Sequence, residues 1–125
     1  MFMDTLTTTV SLHARVLDWL DRPRTRISVN ARTIKNRKAD LGTFQHILER
    51  YTAEALEDET TYVAFLSHLE HLLSTTTLKE STLGNKLTFL TTHALVQGGM
   101  SPALVAETKQ HIRSMRKRSV PFQQR

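Results

Sequence analysis

The stretch SVNARTIKNRKADLGTFQHILERY, residues 28–51, carries the clearest periodic pattern in the chain. At about 100° per residue, Ile34, Leu41, Phe44, Leu48 and Tyr51 fall on one side. Arg32, Lys35, Asn36, Ala39, Thr43 and His46 fall largely on the other. Ser28 or Asn30 offers a side-chain oxygen to cap the first turn. The spacing predicts one amphipathic helix that runs to Tyr51.

The same period recurs on both sides of this segment. A first helix is expected from Asp4 to Leu20, with Val10, Ala14, Leu17 and Leu20 as its apolar stripe. Asp21-Arg22-Pro23 ends it, because proline disfavours helical geometry in the residue before it. Arg22 to Val29 reads as a basic connector. A third helix starts at Asp58, a good cap, with Val63, Leu66, Leu69 and Leu73 facing inward. After the polar break Ser74-Thr75-Thr76-Thr77, a fourth helix spans Lys79 to Gln97 on the core line Leu83, Leu87, Leu90 and Ala94. Its opposite line, Ser81, Asn85, Thr88 and Thr92, is polar and uncharged. Gly98-Gly99 stops it, since glycine accepts the left-handed conformation of a helix C-terminus. Ser101-Pro102 opens a fifth helix carrying Leu104, Val105, Thr108, Ile112 and Met115. That helix frays into Arg116-Lys117-Arg118, and Val120 to Arg125 reads as a tail or linker. The expectation is an all-α bundle of four to five helices.

Length and composition narrow the function classes. The chain has 125 residues, 39% of them hydrophobic, which suits one domain. With no cysteine, disulfide scaffolds, thiolate zinc sites and thiol catalysis are excluded. Four glycines and three prolines are too few for a fold of many tight β turns. No apolar run reaches the roughly 18 residues of a spanning helix, so no membrane partner is expected. The start, MFMDTLTTTV, lacks the basic and apolar regions of a signal peptide. The net charge is +5 and unevenly spread. Arg22–Lys38 holds seven basic residues and no acid, and Thr108–Arg125 holds six and no acid. Glu49–Glu80 holds seven acids against Arg50 and Lys79. Two basic blocks thus flank an acidic middle. They read either as solvated faces or as the footprint of a polyanion partner.

Catalytic and metal chemistry find little support. His68 and His71, three apart on a helix, lack a third ligand at suggestive spacing, so no metal and no cofactor are expected. Glu57, Asp58 and Glu59 cluster where a helix cap and dipole account for them. No phosphate loop, nucleophile elbow or HExxH is present. Tyr51 and Tyr62 read as packing residues, and Trp19 as a core or interface anchor. Nucleic-acid binding is better supported. Arg32 and Lys35 lie in the first turns of their helix, where the dipole also favours an anion. The outer line of the fourth helix carries small polar groups, with Lys86 at its flank. Asn85 there is suited to pairing with a base edge. A plain solvent face usually carries Glu and Lys, which are nearly absent from that line.

The order of these signals resembles the N-terminal core-binding domain of tyrosine recombinases, the phage integrase family, and within it the Cre-like branch. Three segments carry the resemblance. SVNARTIKNRKADLGTFQHILERY places Thr33 near a helix start and the aromatic Phe44 eleven residues on. TLKESTLGNKLTFLTTHALVQGG begins its helix with the Thr82-Leu83 step and ends in Gly98. HIRSMRKRSV is similar to the basic helix before the interdomain linker. The likeness covers about Val10 to Arg118.

The resemblance implies a SAM-like all-α domain over residues 1–119 that clamps one face of double-stranded DNA. Residues 120–125 would begin the interdomain linker. The cleaving residues would lie in a separate catalytic domain absent from this chain, so no catalytic residue is assigned here. The matching DNA-facing positions are Arg32, Lys35, Asn36, Ser81, Thr82 and Asn85; Arg113, Arg116 and Lys117 match residues on backbone phosphates. Ser81 stands where Cre-like proteins often carry a lysine. In this family the first and last helices also help protomers pack into a tetramer on DNA, which suits Trp19. The location implied is cytoplasmic, on the nucleoid. Two other readings stay open: a helical protein-interaction or regulatory module whose basic ends meet an acidic partner, and a helix-turn-helix regulator. The long polar break between the third and fourth helices counts against the second.

Overall fold

Asn30 Oδ1 accepts from the Thr33 amide at 2.8 Å and so starts α3, Ala31–Thr43. The structure, a computed structural model, describes residues 10–123, the last six by backbone alone. The described residues are helical with no strand. Ile34, Leu41, Phe44, Leu48 and Tyr51 are all buried, as their spacing requires. The helix does not run unbroken to Tyr51, however. Phe44, at φ −104° and ψ 5°, leaves helical geometry, and a separate turn α4, Gln45–Leu48, follows. The kink lets the apolar line stay on the core without a straight axis.

The first helix differs in start and register. α1 spans Leu12–Asp21, with Ser11 as its cap, and its buried line is Leu12, Val16 and Leu20. Of the expected stripe only Leu20 is in the core; Ala14 is exposed and Leu17 is 36% exposed. The part of the expected helix from Asp4 to Thr9 lies outside the described residues. The connector Arg22–Val29 contains a short helix, α2, Pro23–Ser28, with proline at its first position. Proline thus ends one helix and opens the next, since its fixed φ suits a first turn.

α5, Glu59–Thr75, starts at Asp58, whose carboxylate accepts from the Thr61 amide at 3.0 Å. It buries Tyr62, Phe65, Leu69 and Leu73, whereas Val63 is 54% exposed. The aromatic pair won the inward line because Tyr62 and Phe65 bury more area than a valine. The Tyr62 hydroxyl meets Thr108 Oγ1 at 2.8 Å, and that hydroxyl donates to the Leu104 carbonyl at 2.6 Å. Burial raises the Tyr62 pKa above 10.0, so it remains a hydrogen-bonding phenol.

α6, Glu80–Phe89, passes through a π turn at Leu90–Ala94 into α7, Leu95–Gln97. Its expected core line, Leu83, Leu87, Leu90 and Ala94, is buried. The two glycines after it do different work. Gly99 has φ +97°, and Met100 N–H reaches back to the Leu95 carbonyl at 3.0 Å, closing a Schellman motif. Gly98 has ordinary backbone angles, but a Cβ there would lie 2.8 Å from the Leu12 side chain. α8, Pro102–Gln123, buries Val105, Thr108, Ile112 and Met115 and continues past the expected tail start at Val120. No helix among the described residues is long and apolar enough to cross a membrane.

Candidate nucleic-acid interface

The wheel of α6 explains how its neighbours are placed. Leu83 and Leu87 set the core direction, and Ser81, Asn85, Thr88 and Thr92 lie opposite and are exposed. Lys86 and half-buried Thr82 sit on one flank, and Glu80 and Gly84 on the other. α3 closes the first flank: Lys86 Nζ donates to Asp40 Oδ1 at 3.0 Å, with both side chains mostly buried. α8 closes the second. There Arg116 pairs with Glu80, and its guanidinium rests 3.4 Å from where a Cβ on Gly84 would stand. Glycine at 84 therefore lets a flat cation lie against the helix. The uncharged line is left as a strip between α3 and α8.

Each flank contributes basic groups. On α3, Arg32 and Asn36 are four apart and exposed, on the outer side of the helix. Lys35, also exposed, leans the other way and lines a cavity of about 380 Å³ with Ala31, Ile34 and Lys38. On α8, Arg113 and Lys117 are exposed, and Arg113 and Arg116 line a groove of about 260 Å³ shared with Thr88, Thr91 and Thr92. Lys109 lines the same groove. The sequence reading passed over Lys109, although positions 109, 113 and 116 follow the three-and-four spacing of one helix flank.

The structure therefore brings Ser81, Asn85, Thr88, Thr92, Lys109, Arg113 and Arg116 onto one side. Arg32 and Asn36 flank them across the Lys86–Asp40 bridge. Lys86 and Arg116 already face carboxylates, so an incoming phosphate would meet them as partners in existing pairs. Arg32, Lys35, Lys109, Arg113 and Lys117 have no carboxylate partner among the described residues. The carboxylates at the borders of the strip, Asp40 and Glu80, are each held by a cation, and Glu107 lies on the far flank of α8 within 3.5 Å of the His111 ring.

Beside this strip the π turn places His93 against Trp19 of α1, ring centroids 5.7 Å apart and nearly parallel. The Arg37 guanidinium of α3 stands 5.8 Å from the Trp19 ring. Burial, and after it the charge of Arg37, hold the His93 pKa below 6.5. Trp19 is thus an internal anchor tying α1 to α3 and the π turn. Among the described residues no group of three or more His, Cys, Asp or Glu side chains is arranged to hold a metal ion. Comparison with known proteins finds no matching family model, no matching curated protein and no matching solved structure.

Proposed function

We infer that this domain binds double-stranded DNA, as the N-terminal clamp of a tyrosine recombinase of the Cre-like kind, and performs no strand cleavage by itself. The observation that carries the reading is the strip on α6: a line of short, uncharged hydroxyl and amide groups, flanked by Arg32 of α3 and by Lys109 and Arg113 of α8, which have no carboxylate partner among the described residues. Short polar side chains allow close approach to base edges, and an amide such as Asn85 pairs bidentately with adenine. Arg113, Arg116 and Lys117, with Arg32 and Lys109, supply phosphate contacts, which position the protein without reading sequence; Arg116 would exchange its Glu80 carboxylate for a phosphate, and Lys35 leans away from the strip. Thr82 and Lys86 flank the strip and shape its edge towards α3, beside Asn36. In the parent protein, sister protomers on the same DNA would be further partners, and the nucleoid its location.

The test is a labelled-duplex anisotropy series across salt. If those five cations meet phosphates, log K falls with log[salt] at a slope of about −4 to −5. A covalent protein–DNA adduct is not expected on a nicked substrate. Absent or salt-insensitive binding would instead favour a helical module that meets an acidic protein partner.

A further inference from the structure

A second pocket lies away from the strip, between α4 and the C-terminal half of α5. It has a volume of about 200 Å³ and is lined by Thr43, His46, Ile47, Arg50, His68, His71, Leu72 and Thr75. Every ionisable group on that wall is basic: one guanidinium and three imidazoles. Arg50 has no carboxylate partner among the described residues.

Tyr51 is buried, and its hydroxyl lies 2.6 Å from His68 Nδ1. Burial raises the Tyr51 pKa, so the phenol keeps its proton. His68 is the one hydrogen-bond partner of that hydroxyl among the described residues. Its Nε2 faces Arg50 Nη1 at 3.5 Å, at the outer limit of a hydrogen bond. The exposed Arg50 guanidinium and the edge of the His68 imidazole thus stand side by side on one wall of the pocket. Behind them Ile47 and Leu72 form an apolar floor.

We propose that this pocket binds a small organic monocarboxylate, its carboxylate accepting from the Arg50 guanidinium beside His68 and its apolar body lying on Ile47 and Leu72. A carboxylate has two acceptor oxygens at the spacing of the paired N–H groups of one guanidinium. A cavity of roughly 150 Å³ takes a benzene ring, so a pocket of this volume holds a body of aromatic-ring size. A bare anion fits less well, because it leaves the floor uncovered.

The experiment uses the full chain and three probes, benzoate, benzamide and inorganic phosphate, followed through the imidazole resonances of His68 and His71 at pH 7. Benzoate is expected to shift both saturably, and benzamide and phosphate to bind at least tenfold more weakly. Arg50→Gln, at an exposed position, is expected to weaken benzoate at least tenfold while leaving the spectrum of the core unchanged. Shifts linear in benzoate, equal affinity for benzamide, or full affinity in Arg50→Gln each overturn the proposal. None of these outcomes depends on whether the α6 strip binds DNA.

Discussion

α5 and α6 lie on the same core, yet they are built to opposite specifications. Asp58 caps α5 through both the amide and the hydroxyl of Thr61, and Tyr62 fastens it to α8. α6 begins at Lys79 with no side-chain cap. Inside it, Thr88 and Thr91 bond back to the Gly84 and Leu87 carbonyls, and the ladder widens into a π turn at Leu90. Back-bonding hydroxyls and π turns weaken and bend a helix. α5 spends its side chains on holding the bundle together. α6 spends its outer line on a polar strip at some cost to its own regularity, as expected of a segment that presents a surface.

The largest effect should come from breaking the α5 side. Phe65 is fully buried and stacks near Tyr62 and edge-on to Tyr51. Phe65→Ala is expected to cost about 3–5 kcal/mol in urea unfolding, transfer loss and cavity together. A cost below about 1 kcal/mol would mean that α5 is not the main fastening. The mirror case is Asn85→Ala on α6. Exposed and unbonded among the described residues, it should change stability by no more than about 0.5 kcal/mol. On a cognate duplex obtained by selection from a random pool, the same change should cost about 1–3 kcal/mol and leave random DNA nearly untouched. Equal losses on both duplexes would mean that α6 reads no base.

How much of this was legible in the sequence follows from what each signal depends on. The core of α3 and α6 was readable because their apolar residues repeat without competitors. α1 was not, because Leu12, Val16, Leu17 and Leu20 offer two overlapping stripes. The choice falls to Leu12, which packs where Gly98 leaves room. The break at Phe44 comes two residues after Gly42, and the π turn at Leu90 lies between the back-bonding hydroxyls of Thr88 and Thr91; such residues weaken a helix without fixing where it breaks. The candidate strip was legible on α6 itself. Its borders were not: Asp40 reaches Lys86 across 46 residues, and Glu80 reaches Arg116 across 36. Lys109 was legible from helical spacing alone.

Capping gives a smaller and two-sided test of the same contrast. Asp58→Ala removes an acceptor from the first turn of α5 and should cost about 1 kcal/mol. Lys79 already has the extended backbone of a cap residue, φ −63° and ψ 151°, without a cap bond. Lys79→Ser should therefore stabilise the protein by up to about 1 kcal/mol in the same assay. If both changes are neutral, the two helix starts are equivalent and the contrast rests on packing alone.

The smallest expected effect is pH-dependent and reports on the π turn directly. His93 is stacked on Trp19 and lies tilted against Phe89, and it titrates below 6.5, first because it is buried and then because Arg37 is near. The unfolded chain, with its imidazole at the ordinary value, takes up the proton first as pH falls. Protons bound preferentially by the unfolded state stabilise it, so the folded state loses stability below about pH 6.5. The loss grows until the folded-state pKa is passed; above pH 6.5 the contribution is fully present. His93→Gln removes this titration, so its melting temperature should fall less between pH 7.5 and 5.0 than that of the unaltered protein. Trp19 is the single tryptophan, which gives a second reading on the same ring. Its emission in the folded protein should change as His93 takes up a proton, with a midpoint below 6.5, and that change should vanish in His93→Gln. A midpoint at or above 6.5 would mean that the π turn leaves His93 open to water. The joint between α6 and α1 would then be looser than the Trp19 stack implies.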